Sequence, residues 1–275
     1  MNILSIVWDV SPYIHQFSET YALRWYGVLF ALAFVLSYYV LAYQFNKENL
    51  PESLLNKISI ACIIGGVCFS RIGHCLFYEP AYYLNNPLEF LHIWKGGMSS
   101  HGGAIGVLLA YLVISTKKYP YGLILSRTLL VVPLAGVFFR MGNLMNSEIY
   151  GTATNLPWGF VFVNSSEVLR GVETAIPRHP TQIYEALCYL ALFIVFVIYC
   201  GRKNKRNEAL SNTFIIGLFS LVTFGSRFLI EFLKLPQVSF EQGLTFNMGQ
   251  ILSIPFIITG IILLWIHHKE KAGLQ

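Results

Sequence analysis

Phe214-Ile-Ile-Gly-Leu-Phe-Ser-Leu-Val-Thr-Phe-Gly-Ser-Arg227-Phe-Leu-Ile-Glu231-Phe232 decides the class of this chain. The run is apolar over the roughly 20 residues that a membrane-spanning helix needs. Yet it carries an arginine and, four residues on, a glutamate. Two other apolar runs hold arginines in the same way. Arg71 follows the run 58–70, and Arg140 closes the run 129–139 and opens Arg140-Met-Gly-Asn143-Leu-Met-Asn146-Ser-Glu148. A charge at bilayer depth costs about 2.5–3.5 kcal/mol on insertion scales, so it is seldom idle. Arginine is also the side chain best shaped to grip a phosphate, through its planar fork of donors. Buried arginines beside Asn and Glu point to an anionic group handled within the bilayer, with a lipid phosphate as the nearest candidate.

Working outward, the whole chain has the same character. Its 275 residues are 55% hydrophobic and only 12% charged, and its mean hydropathy is +0.56. Ordinary soluble domains carry roughly twice that charge fraction. Seven apolar segments can be drawn, at about 22–43, 57–78, 101–116, 122–141, 181–200, 211–232 and 248–267. The expected fold is all-α, a polytopic membrane protein with seven transmembrane helices in one domain, 1–275, plus a small extracytoplasmic cap at about 143–180. The third segment is short and follows the Gly-rich stretch 95–103, where non-helical backbone can enter the membrane if protein shields it. Arg127, near the start of the fourth, is placed to snorkel back to water. The five cysteines (Cys62, Cys68, Cys75, Cys188, Cys200) form no Cys-x-x-Cys pair, which speaks against a disulfide framework or a zinc site. No metal, cofactor or nucleic acid is expected. The stretch 1–18 lacks a basic n-region and a small-residue cleavage site, and is read as retained.

Lys and Arg in the loops set the orientation. Lys47, Lys57, Lys117, Lys118, Arg127, Arg202, Lys203, Lys205, Arg206, Lys269 and Lys271 fall on one side. Arg24, Lys95, Arg170, Arg178 and Lys234 fall on the other. The richer side is cytoplasmic, so the N-terminus faces out and the C-terminus in. The long loop 143–180, whose start carries the Asn/Glu cluster, then lies outside.

Several constellations have two readings each. His101 in Ser99-Ser100-His101-Gly102-Gly103 suits an acid or base, since histidine changes charge nearest neutral pH. The glycines there would let a ligand approach the backbone. Equally, His101 can be a structural donor at a re-entrant turn. Arg140, Asn143 and Asn146 fall three apart and share a helix face. With Glu148 they can bind a phosphate and polyol hydroxyls together, and the bland reading is a polar cap at the interface. Arg227 and Glu231 are spaced for an intrahelical ion pair; either the pair is only neutralising, or Glu231 holds Arg227 toward a substrate anion. In Pro177-Arg178-His179-Pro180-Thr181-Gln182-Ile183-Tyr184-Glu185, Glu185 is read as an interhelical packing bond and His179 as structural. Gln250 and Ser253, at the start of the last segment, are read as packing polars.

Taken in order, these stretches resemble the bacterial prolipoprotein diacylglyceryl transferases. The resemblance runs from Arg24-Trp25-Tyr26-Gly27 through His101-Gly102-Gly103, Arg140 to Gly151 and His179 to Glu185. It continues in Arg227-Phe-Leu-Ile-Glu231 and Gly249-Gln250-Ile-Leu-Ser253. It implies a seven-span bacterial inner-membrane enzyme with its N-terminus outside. It implies transfer of the diacylglyceryl group of phosphatidylglycerol to the lipobox cysteine thiol of a prolipoprotein signal peptide. Arg140 matches the family's phosphatidylglycerol-binding arginine. Tyr26, His101, Asn143, Glu148, Gly151, Arg227 and Glu231 match positions the family treats as functionally important. The chain departs from the pattern at Ser147, where the family usually has glycine, and at Thr152, where a basic residue often follows Gly151.

That chemistry suits the residues. Cleaving a carbon–oxygen bond expels a phosphate monoester, and two arginines aimed there stabilise the growing charge. Only the thiolate attacks well, so His101, or the field of the arginines, has a proton to remove. Using the same arginines, the rival reading is a transporter or scramblase of an anionic lipid or solute. Transporters commonly show internal repeats, and none is evident. An aspartyl intramembrane protease is excluded, because the only aspartate is Asp9.

Overall fold

The computed structural model describes residues 5–18, 21–92, 97–235 and 246–272. Helices occupy all seven apolar segments. Five are long and apolar enough to span a bilayer: α1 (Trp25–Lys47), α2 (Glu52–Phe77), α8 (Thr181–Lys205), α9 (Asn212–Ile230, continued by a 3-10 turn, Glu231–Leu233) and α10 (Met248–Ala272). A sixth span is formed if α5 (Tyr121–Leu129) and α6 (Val132–Met145) are taken together. They meet at a 44° bend. Pro133, in the first turn of α6, lacks the N–H that would have continued the ladder back into α5. The remaining segment is α4 (Ser100–Ile114), of 15 residues. At 1.5 Å per residue it covers about 22 Å, short of the roughly 30 Å of hydrocarbon. Between α2 and α4 lie α3 (Pro80–Asn85) and a 3-10 turn, Pro87–Leu91. A single turn, α7 (Ser166–Leu169), lies in the loop before α8.

The chain divides into two compact units, 41–128 and the remainder. In the first, α2 and α4 pack through glycines. A Cβ on Gly106 would stand 2.2 Å from the Gly65 carbonyl oxygen, and one on Gly102 would stand 2.3 Å from that of Phe69. Small residues let backbones approach closely where lipid gives no hydrophobic drive for association. Two arginines are used structurally here. Arg71 Nε donates to the Phe90 carbonyl at 2.9 Å and Nη1 to that of Gly97 at 3.1 Å, with the Tyr83 ring beneath the guanidinium. Arg127 does not snorkel. It is 3% exposed and grips the Glu48 carboxylate from the end of α1, with Nε 2.8 Å from Oε2.

In the other unit α6, α8, α9 and α10 pack in succession. Gly217 and Gly260 meet across α9 and α10, and Phe224 stacks on Phe256 at 4.1 Å. β1 (Ile6–Trp8) pairs in parallel with β4 (Phe160–Phe162), and β2 (Tyr13–Gln16) pairs antiparallel with β3 (Ala22–Arg24). A small core of Leu144, Tyr150, Phe160 and Phe162 lies under this strand pair, with Trp8 against it. The Trp8 indole donates to the Leu144 carbonyl at 3.0 Å. The stretch 5–8 is thereby built into the end of α6, where the polar cluster begins.

Candidate active site

The cluster grows from the C-terminal end of α6. Arg140 Nη1 donates to Asn143 Oδ1 at 3.2 Å, as the three-residue spacing requires. Its Nε lies 2.7 Å from Glu185 Oε2, and its Nη2 donates to Glu185 Oε1 at 3.3 Å. This is a guanidinium–carboxylate ion pair, with one hydrogen bond from Nη2 to Oε1, joining α6 to the second turn of α8. Glu185 is 1% exposed. Its Oε1 also accepts from Lys234 Nζ at 2.9 Å, and Lys234 Nζ is 3.4 Å from Glu231 Oε2. Glu185 is thus far more than a packing bond, and Lys234 is a buried member of the cluster, not a loop charge.

α6 stops at Met145, with Asn146 as its C-cap. The chain then takes left-handed backbone at Ser147 (φ 51°) and Ile149 (φ 59°). Such a conformation costs an L-residue about 1–2 kcal/mol, and for β-branched isoleucine it is a genuine outlier. The two residues bracket Glu148. Its Oε1 accepts from Asn143 Nδ2 at 2.8 Å and Asn146 Nδ2 at 3.3 Å. The first turn of α8 holds the strained segment in place: Gln182 Nε2 donates to the Glu148 carbonyl at 2.7 Å, and Thr181 Oγ1 to that of Ile149 at 2.9 Å. Both side chains are fully buried. Arg140, Asn143, Asn146 and Glu148 are therefore brought together as the sequence suggested.

Gly151 closes this segment. A Cβ there would stand 2.4 Å from the Leu233 carbonyl oxygen and 2.8 Å from His179 Cβ. The Gly151 N–H donates to the His179 carbonyl at 2.8 Å. Its role in the geometry is to let the segment lie against the chain that follows α9. Burial holds the His179 imidazole below its ordinary pKa, and its Nδ1 is 3.2 Å from the Tyr184 hydroxyl, as befits a structural histidine. Tyr26, in the first turn of α1, lays its ring on Gly142, where a Cβ would meet Cδ2 at 2.8 Å.

Arg227 lies in the last turn of α9. The expected Arg227–Glu231 pair does not form. The α-helix ends at Ile230 and tightens to 3-10 from Glu231. That change of pitch takes the carboxylate off the i, i+4 line and toward Lys234. Among the described residues Arg227 has no carboxylate within ion-pair distance. Glu231 instead packs on Gly249 at the start of α10. There Asn247 and Gln250 cap the helix reciprocally, at 2.9 and 3.0 Å.

His101 belongs to the other unit. It lies in the first turn of α4, exposed, behind an N-cap at Ser99 that accepts from the Gly102 N–H at 3.3 Å. Gly102 and Gly103 face α2, not a ligand: a Cβ on Gly103 would stand 2.4 Å from Ser70 Oγ. Sequence reasoning underweighted Glu185, Lys234 and Gln182. The available signals were a carboxylate inside an otherwise apolar span and a lysine three residues after Glu231.

The family model for prolipoprotein diacylglyceryl transferase matches residues 12–266. A phosphatidylglycerol–prolipoprotein diacylglyceryl transferase of Tolumonas auensis is 39% identical over 271 residues, 97% of this chain and 99% of that one. Those of Porphyromonas gingivalis and Bacteroides fragilis bear the same name. The former is 38% identical over 94% of this chain and 93% of its own, and the latter 36% over 98% of each. None of these relatives is named as a transporter. With Arg140, the Asn/Glu cluster and the Arg227 helix falling inside the matched region, this chain belongs to the prolipoprotein diacylglyceryl transferase family.

Proposed function

We propose that this chain transfers the diacylglyceryl group of phosphatidylglycerol to the thiol of a lipobox cysteine in a prolipoprotein signal peptide. The product is a thioether, and glycerol phosphate is released. One observation carries the reading for this chain: Arg140, partly open, reaches Glu185 and Asn143 within a buried polar cluster at the end of an apolar helix.

In the reaction the sulfur attacks the glycerol carbon that bears the phosphate ester. The sulfur–carbon bond forms, the carbon–oxygen bond breaks, and its electron pair passes to the phosphate oxygen as glycerol phosphate leaves. The thiol proton goes to a base. Arg140 binds the phosphate, and Arg227, with no carboxylate of its own among the described residues, adds the second positive charge where the leaving group gains negative charge. Asn143, Asn146 and Glu148 meet the headgroup hydroxyls. Gly151 keeps their segment in register, and Glu231 acts on the cluster through Lys234. Tyr26 shapes the end of α6 through Gly142. His101 is the base by its chemistry.

The protein sits in the bacterial inner membrane, N-terminus outside and C-terminus cytoplasmic, with 143–180 as an extracytoplasmic cap on a single transferase domain. The loop cations support that orientation. Labelling single cysteines with an impermeant reagent tests it: position 172, exposed in the cap, should react from outside intact cells and position 206 should not, and the reverse pattern refutes it. The activity is tested by incubating purified protein with phosphatidylglycerol and a lipobox peptide. A diacylglyceryl mass increase on the peptide cysteine is expected, and its absence in folded protein overturns the reading.

A further inference from the structure

Among the described residues Glu185 has two cations, and they differ in one respect. Lys234 is 3% exposed at its side chain and Arg140 is 15% exposed. Lys234 is sealed between Glu185 and Glu231, at 2.9 and 3.4 Å. Arg140 is the open partner. Its Nε and Nη2 are both engaged by Glu185, so an incoming phosphate has to compete with an internal carboxylate for the same fork. A carboxylate that is 1% exposed and loses its only partner is strongly destabilised, because nothing replaces its hydration. Glu185 avoids that fate only because Lys234 remains.

We propose that Lys234 is the standing counter-ion of Glu185 and Glu231, a positioning residue that allows Arg140 to exchange Glu185 for the phosphate of the lipid. The inference rests on Arg140 being the phosphate ligand. Lysine suits this position, because its compact ammonium has three donors and reaches both carboxylates at once without occupying the guanidinium's plane. The bridge between Gly151 and Lys234, and the Thr152 N–H donating to the Leu233 carbonyl at 2.7 Å, fix the backbone that carries it. Headgroup binding and the Lys234 pairings are thereby coupled through one carboxylate.

The test is steady-state kinetics in nanodiscs of phosphatidylethanolamine with graded phosphatidylglycerol and a fixed lipobox peptide, separating KM for the lipid from kcat. Lys234→Met should raise that KM at least about tenfold, as for truncating one partner of a buried charge pair, because Arg140 is then Glu185's only cation among the described residues. Lys234→Arg should keep KM near the parent value. Glu185→Gln placed in the Lys234→Met background should bring KM back down, since the internal competitor is gone. A lysine that is merely structural gives a different result: lower melting temperature and kcat falling with the folded fraction, at unchanged KM. Unchanged KM in folded Lys234→Met overturns the proposal, as does failure of Glu185→Gln to restore it. Should Lys234→Met not fold, Glu185→Gln with Lys234 in place decides alone, since Lys234 then still pairs Glu231. A folded Glu185→Gln with KM at or below the parental value supports the exchange, and a raised KM in folded protein overturns it. Arg140→Ala separates the two layers: unchanged KM there removes Arg140 as the phosphate ligand, whatever Lys234 does.

Discussion

The Glu231 carboxylate rests on Gly249, where a Cβ would stand 2.7 Å from its Cδ and 2.8 Å from Oε1. Both distances are shorter than real Cβ contacts allow. The 3-10 turn after α9 and the first turn of α10 are thus fitted to each other through a missing side chain. Gly249→Ala has to push Glu231 aside and with it the Lys234 pairing. Alanine is otherwise the better helix former, by about 1 kcal/mol, so the backbone does not suffer. The expected outcome is a folded protein with turnover down on the order of tenfold or more, as small misplacements near the chemistry produce. Parental kcat together with a parental melting temperature would show that Glu231 has room to move and that its position does not matter.

Arg140→Lys keeps the charge and loses the fork. The arginine makes one contact to Glu185 through Nε and another through Nη2, besides its bond to Asn143. A charge-assisted hydrogen bond is worth about 1.5–3 kcal/mol, so loss of one prong to the phosphate predicts roughly 10- to 150-fold lower kcat/KM. Lipid titration on the purified variant checks this. Near-parental kcat/KM would mean that a point charge suffices and that the planar geometry is incidental.

The apolar runs placed the helices, because a span has to satisfy its backbone within itself and so announces itself by length and composition. The same reasoning put Arg140, Asn143 and Asn146 on one face. It failed where the partner is distant in sequence. Arg127 meets Glu48 from 79 residues away, and Lys234 meets Glu185 from 49. A loop lysine and an isolated glutamate give no sign of each other in the chain. Gly102 and Gly103 misled for a different reason: a glycine that admits a ligand and one that admits a neighbouring helix look alike until the neighbour is known. The fourth apolar run reads as one span, although it contains Pro133, where the helix breaks. Glu231 swung away from Arg227 because the helix changes pitch at that residue, and the apolar pattern 228–233 continues through the change without marking it.

Ser147 is fully buried, with its hydroxyl unpartnered among the described residues and its backbone left-handed at φ 51°. Ser147→Gly removes both penalties. Relief of a left-handed conformation is worth about 1–2 kcal/mol, which for a chain of this size raises the melting temperature by a few degrees, about 2–4 °C per kcal/mol. Thermal unfolding in detergent measures it. A lower melting temperature would show that the serine makes a contribution that outweighs its strain. Activity should be preserved, because Glu148 remains held by Asn143, Asn146 and Gln182.

His101 carries the proposed base role, and its glycine neighbours are accounted for by packing against α2, so the histidine has to be judged alone. A general base works only unprotonated. The base role is therefore read from turnover in His101→Gln. The variant should keep the parental KM for phosphatidylglycerol and lose about 10²–10⁴-fold in kcat, the usual worth of a positioned base. It should also fold, since His101 is exposed and the Ser99 cap of α4 does not involve its ring. A loss of only a few-fold would make His101 structural. Loss of lipid binding in a folded variant would place it with the headgroup, and the thiol would then be activated by the field of Arg140 and Arg227.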